Sequence, residues 1–205
     1  MNVYTEPIGE HFHWKEIHML KFTASFLGRD CPGVVAGVTT IMEKTKCDII
    51  EVSQTILAGE FAAIFIVSTP DDRDCASLEA ALKEGLAAAN VDLSVIVRPA
   101  VEGFWADHIK CEPFVVTAHG PDRPGLIAGM SRVFARHGVN IENLKAILGE
   151  GGANQALFVF EVKVPESVDL GRLRRELIAE GQRLELLVSV QHRDIFEAVH
   201  RIQPI

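Results

Sequence analysis

One short motif occurs twice in this 205-residue chain, and the repetition limits what the chain can fold into more than any other feature. GRDCPGVVAG, at Gly28–Gly37, and GPDRPGLIAG, at Gly120–Gly129, align without a gap at an offset of 92 residues. The same offset pairs Phe22 with Phe114, and Cys47-Asp48-Ile49-Ile50 with Val139-Asn140-Ile141-Glu142. Three extra residues in the glycine-rich stretch Gly149–Gln155 then move the offset to 95. Phe65 now meets Phe160, Leu78 meets Leu173, and Val95 meets Val190. Self-similarity at a fixed offset means one supersecondary unit used more than once. The chain reads as a first unit at 18–99, a linker at 100–111, a second unit at 112–193 and a tail at 194–205.

Periodicity assigns the elements of each unit. Leu20, Phe22, Ala24 and Phe26 alternate with Lys21, Thr23 and Ser25, the pattern of a half-buried strand. After the Pro-Gly turn, Val34, Val35, Val38, Ile41 and Met42 fall at helical spacing, as do Leu126, Ile127, Met130, Val133 and Phe134. Lys44-Thr45-Lys46 and His137-Gly138 close these helices, the second with a glycine suited to a left-handed cap. Ile49–Leu57 and Phe61–Thr69 form a hairpin around Gly59. Leu78, Leu82 and Leu86 mark a second helix, and Val91–Val97 a closing strand. The order is β-α-β-β-α-β, so the fold class is α+β: two ferredoxin-like units, each a four-stranded antiparallel sheet with two helices on one face. A unit of about 80 residues is marginal alone. Burial between units or between copies is therefore expected, and the chain is read as a homo-oligomer.

Charge narrows the function. The chain holds 20 Lys and Arg against 28 Asp and Glu, a formal charge of -8. That balance speaks against a general nucleic-acid surface, which needs clustered positive charge, and weakens the case for an anionic membrane. Cys31, Cys47, Cys75 and Cys111 show no CxxC pair or disulfide framework. The N-terminal residues lack a signal-peptide pattern, and the longest apolar run is Phe61–Val67. A cytoplasmic location is expected.

The functional question settles on the duplicated strand–turn–helix. A helix start carries unpaired N–H groups and the positive end of the helix dipole, which together hold a carboxylate or phosphate. Gly33 and Gly125, lacking Cβ, let a ligand approach the backbone. Pro32 and Pro124 cost little there. Asp30 and Asp122 allow two readings: each caps its helix, or each accepts a hydrogen bond from a ligand ammonium group. An amide turn beside a carboxylate is what a zwitterionic amino acid requires. Gly, Pro and Asp are also ordinary turn residues, and a purely structural turn is the competing reading. Asp48 and Asn140, which open the next strand, recur at a fixed distance in both copies.

Both units resemble ACT domains, on D-x-P-G-[LV]-[IV]-A-G at the head of a helix and [VC]-[ND]-I at the next strand. The tandem arrangement over about residues 18–193 is similar to the glycine cleavage system transcriptional repressor family. That resemblance implies a non-enzymatic regulator that binds a small effector, an amino acid such as glycine or serine, where modules meet. It also implies action through a regulatory protein partner, without direct contact to nucleic acid. The effector would lie against Asp122, Pro124 and Gly125 with Asn140, or against Asp30, Pro32 and Gly33 with Asp48, the last residue of each set coming from a neighbouring module. Cys31 in the first turn and Asp48 in place of the usual Asn depart from the family pattern. The extra negative charge disfavours a carboxylate, so the second set is the better candidate. A ligand-free dimerisation or scaffold module is the alternative.

The remaining constellations carry less. His11, His13 and His18, and His108 with Cys111, lack further partners at zinc-ligand spacing, so neither a metal nor a cofactor is expected. His119 and His192 sit on expected strands as surface or half-buried residues. No nucleophile elbow or acid–base carboxylate pair stands out, and no enzyme is expected. The glycines at 149, 151 and 152 read as a hairpin tip able to cover a pocket, and Arg172, Arg174 and Arg175 as a solvated helix face, with a docking site for an acidic partner as the alternative.

Overall fold

The computed structural model describes residues 19–70, 73–101, 109–149 and 154–200. The chain divides into two compact units between Glu102 and Gly103. In the first unit, β1 (Met19–Arg29), α1 (Val34–Lys44), β2 (Asp48–Leu57), β3 (Glu60–Pro70), α2 (Cys75–Ala88) and β4 (Leu93–Pro99) follow one another. The second unit repeats them as β5 (Cys111–Pro121), α3 (Leu126–Arg136), β6 (Asn140–Leu148), β7 (Gln155–Pro165), α4 (Leu170–Arg183) and β8 (Leu187–His192). A last helix, α5 (Arg193–His200), follows β8. The sheets have strand orders β2-β3-β1-β4 and β6-β7-β5-β8, with antiparallel neighbours throughout. These are two βαββαβ sheets, as the alternation of the strands and the helical spacing require.

Alternation along β1 sends Phe22, Ala24 and Phe26 to the helix side and Thr23, Ser25 and Leu27 to the other. The inward set joins Val38, Ile41 and Met42 of α1 and Leu78, Leu82 and Leu86 of α2 in one core, with Phe26 edge-on to Phe65 at 5.6 Å. The second unit builds the equivalent core from Phe114, Val116 and Ala118 against Met130, Phe134, Leu173 and Leu177. Val35 and Ile127, counted with the apolar helical positions, lie exposed at the edges of their stripes. The closing strand starts two residues later than its sequence pattern implies, at Leu93, because Asn90 is spent on ending α2.

Four helices end in the same way. Lys46, Asn90, Gly138 and Glu185 all take positive φ, between 53° and 63°. In each case that residue's N–H and the next close two bonds back into the last turn, as in Cys47 to the Met42 carbonyl and Lys46 to the Glu43 carbonyl, both 2.9 Å. This is the Schellman arrangement, and it satisfies carbonyls that the helix leaves open. Only Gly138 among the four is a glycine, so sequence signals a left-handed cap at one site and is silent at three. The β2–β3 hairpin turns through Ala58 and Gly59, both at positive φ, which matches the twist of the strands they join.

Candidate functional site

The helix starts divide into two kinds. At α2 the Asp74 carboxylate accepts from the Ser77 N–H (2.8 Å) and Ser77 returns the bond, a complete capping box. At α4 the Asp169 carboxylate accepts from the Arg172 N–H (3.0 Å). At α1 and α3 the cap positions are Gly33 and Gly125, and no side chain bonds to either helix start. Asp30 and Asp122, three residues earlier, therefore do not cap. Of the two readings that sequence allows for these aspartates, the capping one is removed.

The glycines of the turn have separate reasons. Gly33 and Gly125 sit at φ 91° and 93°, a region that side chains with a Cβ avoid. The space where their Cβ would lie is open to 4 Å. Gly28 and Gly120 serve packing: a Cβ there would stand 2.4 Å from the backbone oxygen of Asp92 or Glu185. Each turn is also pinned by the tip of the hairpin beside it. The Asp30 N–H donates to the Gly59 carbonyl (2.9 Å), and the Asp122 N–H to the Asn154 carbonyl (3.2 Å). Of the loop read as a cover over a pocket, residues 149–152, all but Gly149 lie outside the described residues; Gly149 donates to the Gln155 carbonyl (2.8 Å), and nearby Asn154 meets the turn.

Pro32, Pro124 and both cap glycines are exposed, and Asp30 and Asp122 are half-buried. Arg123 in the second turn pairs with Glu185 across 3.2 Å. The first turn has the exposed Cys31 at that position.

Asp48 and Asn140 are not beside these turns. Asp48 lies level with Ser68 and Lys21, and Asn140 with Lys163 and Pro113. Asp30 and Asp122 stand nine residues further along β1 and β5, so about 30 Å separates the two halves of each residue set within one sheet. Both β2 and β6 are edge strands. Each carries a bulge two residues after its Asp or Asn, at Ile50 and at Glu142, which re-aims the start of the strand.

The surroundings of the two strand starts differ. Asp48 borders a shallow groove with Thr39, Glu43, Lys46 and Cys47. Burial pushes the Cys47 thiol up, against a lowering hydrogen bond from Thr45. Near Asn140 stands an ionic cluster that single-sequence reading missed. Glu142 accepts from Lys163 (2.9 Å) and Arg193 (3.0 Å), Arg193 also reaches Glu161 (3.6 Å), and the Asn143 amide donates to Glu161 (3.1 Å). Burial raises the Glu142 carboxyl, but the bonds from Lys163 and Arg193 outweigh it and hold the group below its ordinary range. The signal was weak because Arg193 follows the last strand and its partners are 51 and 32 residues away in sequence.

Arg172 is not simply solvated. It joins Arg136 and His137 on the Glu176 carboxylate, at 3.0, 3.4 and 3.1 Å. His192 stacks edge-on against Phe114 at 5.3 Å, and His119 is exposed. His11, His13, His18 and His108 lie outside the described residues. Among the described residues no three His, Cys, Asp or Glu side chains converge in a metal-binding group, and no helix is long and apolar enough to cross a membrane. All four cysteines are free thiols.

Comparison with known proteins agrees with this geometry. The family model of the ACT domain matches residues 22–96 and again 112–191. A UPF0237 protein of Methanopyrus kandleri is 42% identical over 90 residues, spanning 43% of this chain and 96% of its own. That of Pyrobaculum aerophilum is 40% identical over 88 residues, again 43% and 96%. Among solved structures, a protein from Galdieria sulphuraria superposes with TM-score 0.68 at 18% identity, covering 85% of this chain and 99% of its own. A candidate glycine cleavage system transcriptional repressor gives 0.63 at 20% identity, covering 84% and 96%. These two likenesses speak to fold alone. With the motif, the topology and the family match all repeated in both halves, the chain belongs to the ACT-domain family of regulatory modules.

Proposed function

We propose that this protein is a non-enzymatic sensor of a small zwitterionic effector, an amino acid such as glycine or serine, that acts on a protein partner. The observation that carries the reading is the contrast among helix starts. Of the four helices that pack inside the βαββαβ units, α2 and α4 are sealed by an aspartate, while α1 and α3 keep their first amides free of side-chain caps beside an aspartate that does not cap. Amides without a side-chain cap suit the effector's carboxylate, the first amide of α1, that of Val34, being already bonded to the Cys31 carbonyl (3.1 Å), and the aspartate suits its ammonium group. Asp122, Pro124 and Gly125 form the stronger turn, and Asn140 completes the site from a module other than its own, since about 30 Å of strand separates it from the turn of its own sheet. Asp30, Pro32, Gly33 and Asp48 form the weaker equivalent. Effector binding would favour one pairing of modules over another, and the partner would read that difference. The proposal extends to transcriptional control of glycine or amino-acid metabolism from the cytoplasm, exerted through the partner.

Titration calorimetry of the full chain with glycine, serine and the other common amino acids tests it. Saturable heat that disappears in Asp122→Ala and in Asn140→Ala is expected. A calorimetric blank across the whole set would sink the effector reading. A ligand-free scaffold keeps support from one observation: both glycines of the turn already have a packing or backbone reason to be there. Under that reading Asp122→Ala leaves partner binding unchanged with and without amino acid.

A further inference from the structure

The two sheets differ on the side away from their helices. On the second sheet, α5 packs against β5 and β8, and Arg193 is tied to Glu142 and Glu161 there. On the first sheet the same side carries Leu27, Ile64 and Ile96, exposed by 58%, 51% and 53%. Their counterparts in the second unit are His119, Val159 and Gln191, so at these three positions only one apolar side chain is kept.

Strand register arranges this surface in rows. One row runs Glu51, Ile66, Thr23, Arg98 from β2 across to β4. The next runs Ser53, Ile64, Ser25, Ile96. In the third, Ala62 lies beside Leu27. We propose that a second copy of the chain covers this face, sheet on sheet, about a two-fold axis running along the strands. Such an axis reverses each row on the facing sheet. Ile66 then meets Thr23, Ile64 meets Ser25, Ile96 meets Ser53 and Leu27 meets Ala62. Each large apolar side chain of these three rows falls opposite a small one, as interdigitating inner faces about 10 Å apart require. Glu51 meets Arg98 twice, at the two ends of its row about 14 Å apart, so the charges match as well as the shapes. A self-complementary patch of this kind closes as a dimer instead of growing into a filament. The pairing stands independently of the effector reading.

Sedimentation velocity of the full chain over micromolar concentrations is the test, with thermal melts to confirm that each variant is folded. The wild type is expected to sediment as a concentration-dependent dimer. Glu51→Arg and Arg98→Glu should each weaken association about tenfold or more, because like charges then face each other twice. The double swap Glu51→Arg/Arg98→Glu should restore it to within about threefold of the wild type. Ile64→Glu, whose side chain lies outside the core, should leave a folded chain unable to pair through this face. A monomeric wild type, in which the face serves some other partner, would overturn the proposal. So would a dimer indifferent to Ile64→Glu, or a double swap no tighter than the single ones.

Discussion

Asp122, just past the end of β5, and Asn140, which opens β6, lie at opposite ends of one sheet. Asn140 is level with Pro113, and Asp122 follows β5 nine residues on. No side-chain motion spans the resulting distance of about 30 Å. Any ligand that touches both residue types must bridge two modules, with the turn of one beside the edge-strand start of another. Edge position makes that feasible, because β2 and β6 each have an open side. In the proposed site, effector affinity and module pairing would be one equilibrium, each strengthening the other by the same factor.

Aspartates in matched positions should separate by role. Asp74→Ala removes a capping box and is expected to cost about 1 kcal/mol. Asp122→Ala removes no cap, and its cost should stay within about 0.5 kcal/mol, as for surface changes away from such features. Urea titration of both variants measures the difference. A loss at Asp122 as large as that at Asp74 would return this residue to a structural role.

Glycines of the second turn should differ in the opposite sense to their exposure. Gly125→Ala puts a Cβ into open space but keeps φ at 93°, so the penalty is the left-handed conformation, roughly 1–2 kcal/mol. Gly120→Ala drives a Cβ to 2.4 Å from the Glu185 backbone oxygen, and backbone must move. Its cost should exceed that of Gly125→Ala, in the upper part of the roughly 1–3 kcal/mol range for overpacking or beyond it. Denaturant midpoints of the two variants, compared at equal m-value, decide the order.

Much of this architecture is legible in the order of the amino acids. The duplicated motif sets the unit count, and Phe22, Ala24 and Phe26 against Thr23 and Ser25 mark both the strand and its inward face. Val34, Val38, Ile41 and Met42 do the same for α1. What stays hidden depends on geometry that no local pattern encodes. Whether Asp122 caps α3 turns on where its carboxylate points, and Asp169 shows that the same residue type does cap elsewhere. The bulges at Ile50 and Glu142 arise from pairing with β3 and β7, and the Glu142–Arg193 contact joins an edge strand to the first residue of α5. Lys46, Asn90 and Glu185 end helices without a glycine because the Schellman bonds and the following strand hold them in place.

Lys46 offers a direct check on that last point. It stands at φ 58° where the second unit has Gly138 at 63°, with the same pair of bonds closing the helix. Lys46→Gly removes the left-handed strain of a residue with a Cβ, offset by the greater freedom glycine has in the unfolded chain. A net stabilisation of about 0.5–1 kcal/mol is expected, visible as a higher denaturant midpoint. The reverse change, Gly138→Lys, should destabilise by a similar amount. Opposite signs for the pair are what the shared geometry demands, and equal signs would contradict it.

Glu176 should make the second unit sensitive to acid. Its carboxyl is lowered to about 2 by the hydrogen bond from His137 first, then by those from Arg172 and Arg136, against a small opposing effect of burial. The folded-state value lies below the unfolded one near 4.5, so the unfolded chain binds the proton first as pH falls. The contribution is complete above about 4.5 and is lost progressively as pH falls toward about 2. Glu176→Gln cannot ionise, and it leaves Arg136, His137 and Arg172 without their shared carboxylate. The variant should therefore melt below the wild type at neutral pH, and the gap should shrink as the pH is lowered through that window. Melting curves collected at intervals between about pH 2 and 7 test the claim. A gap that stays constant with pH would show that the cluster around Glu176 does not couple its ionisation to folding.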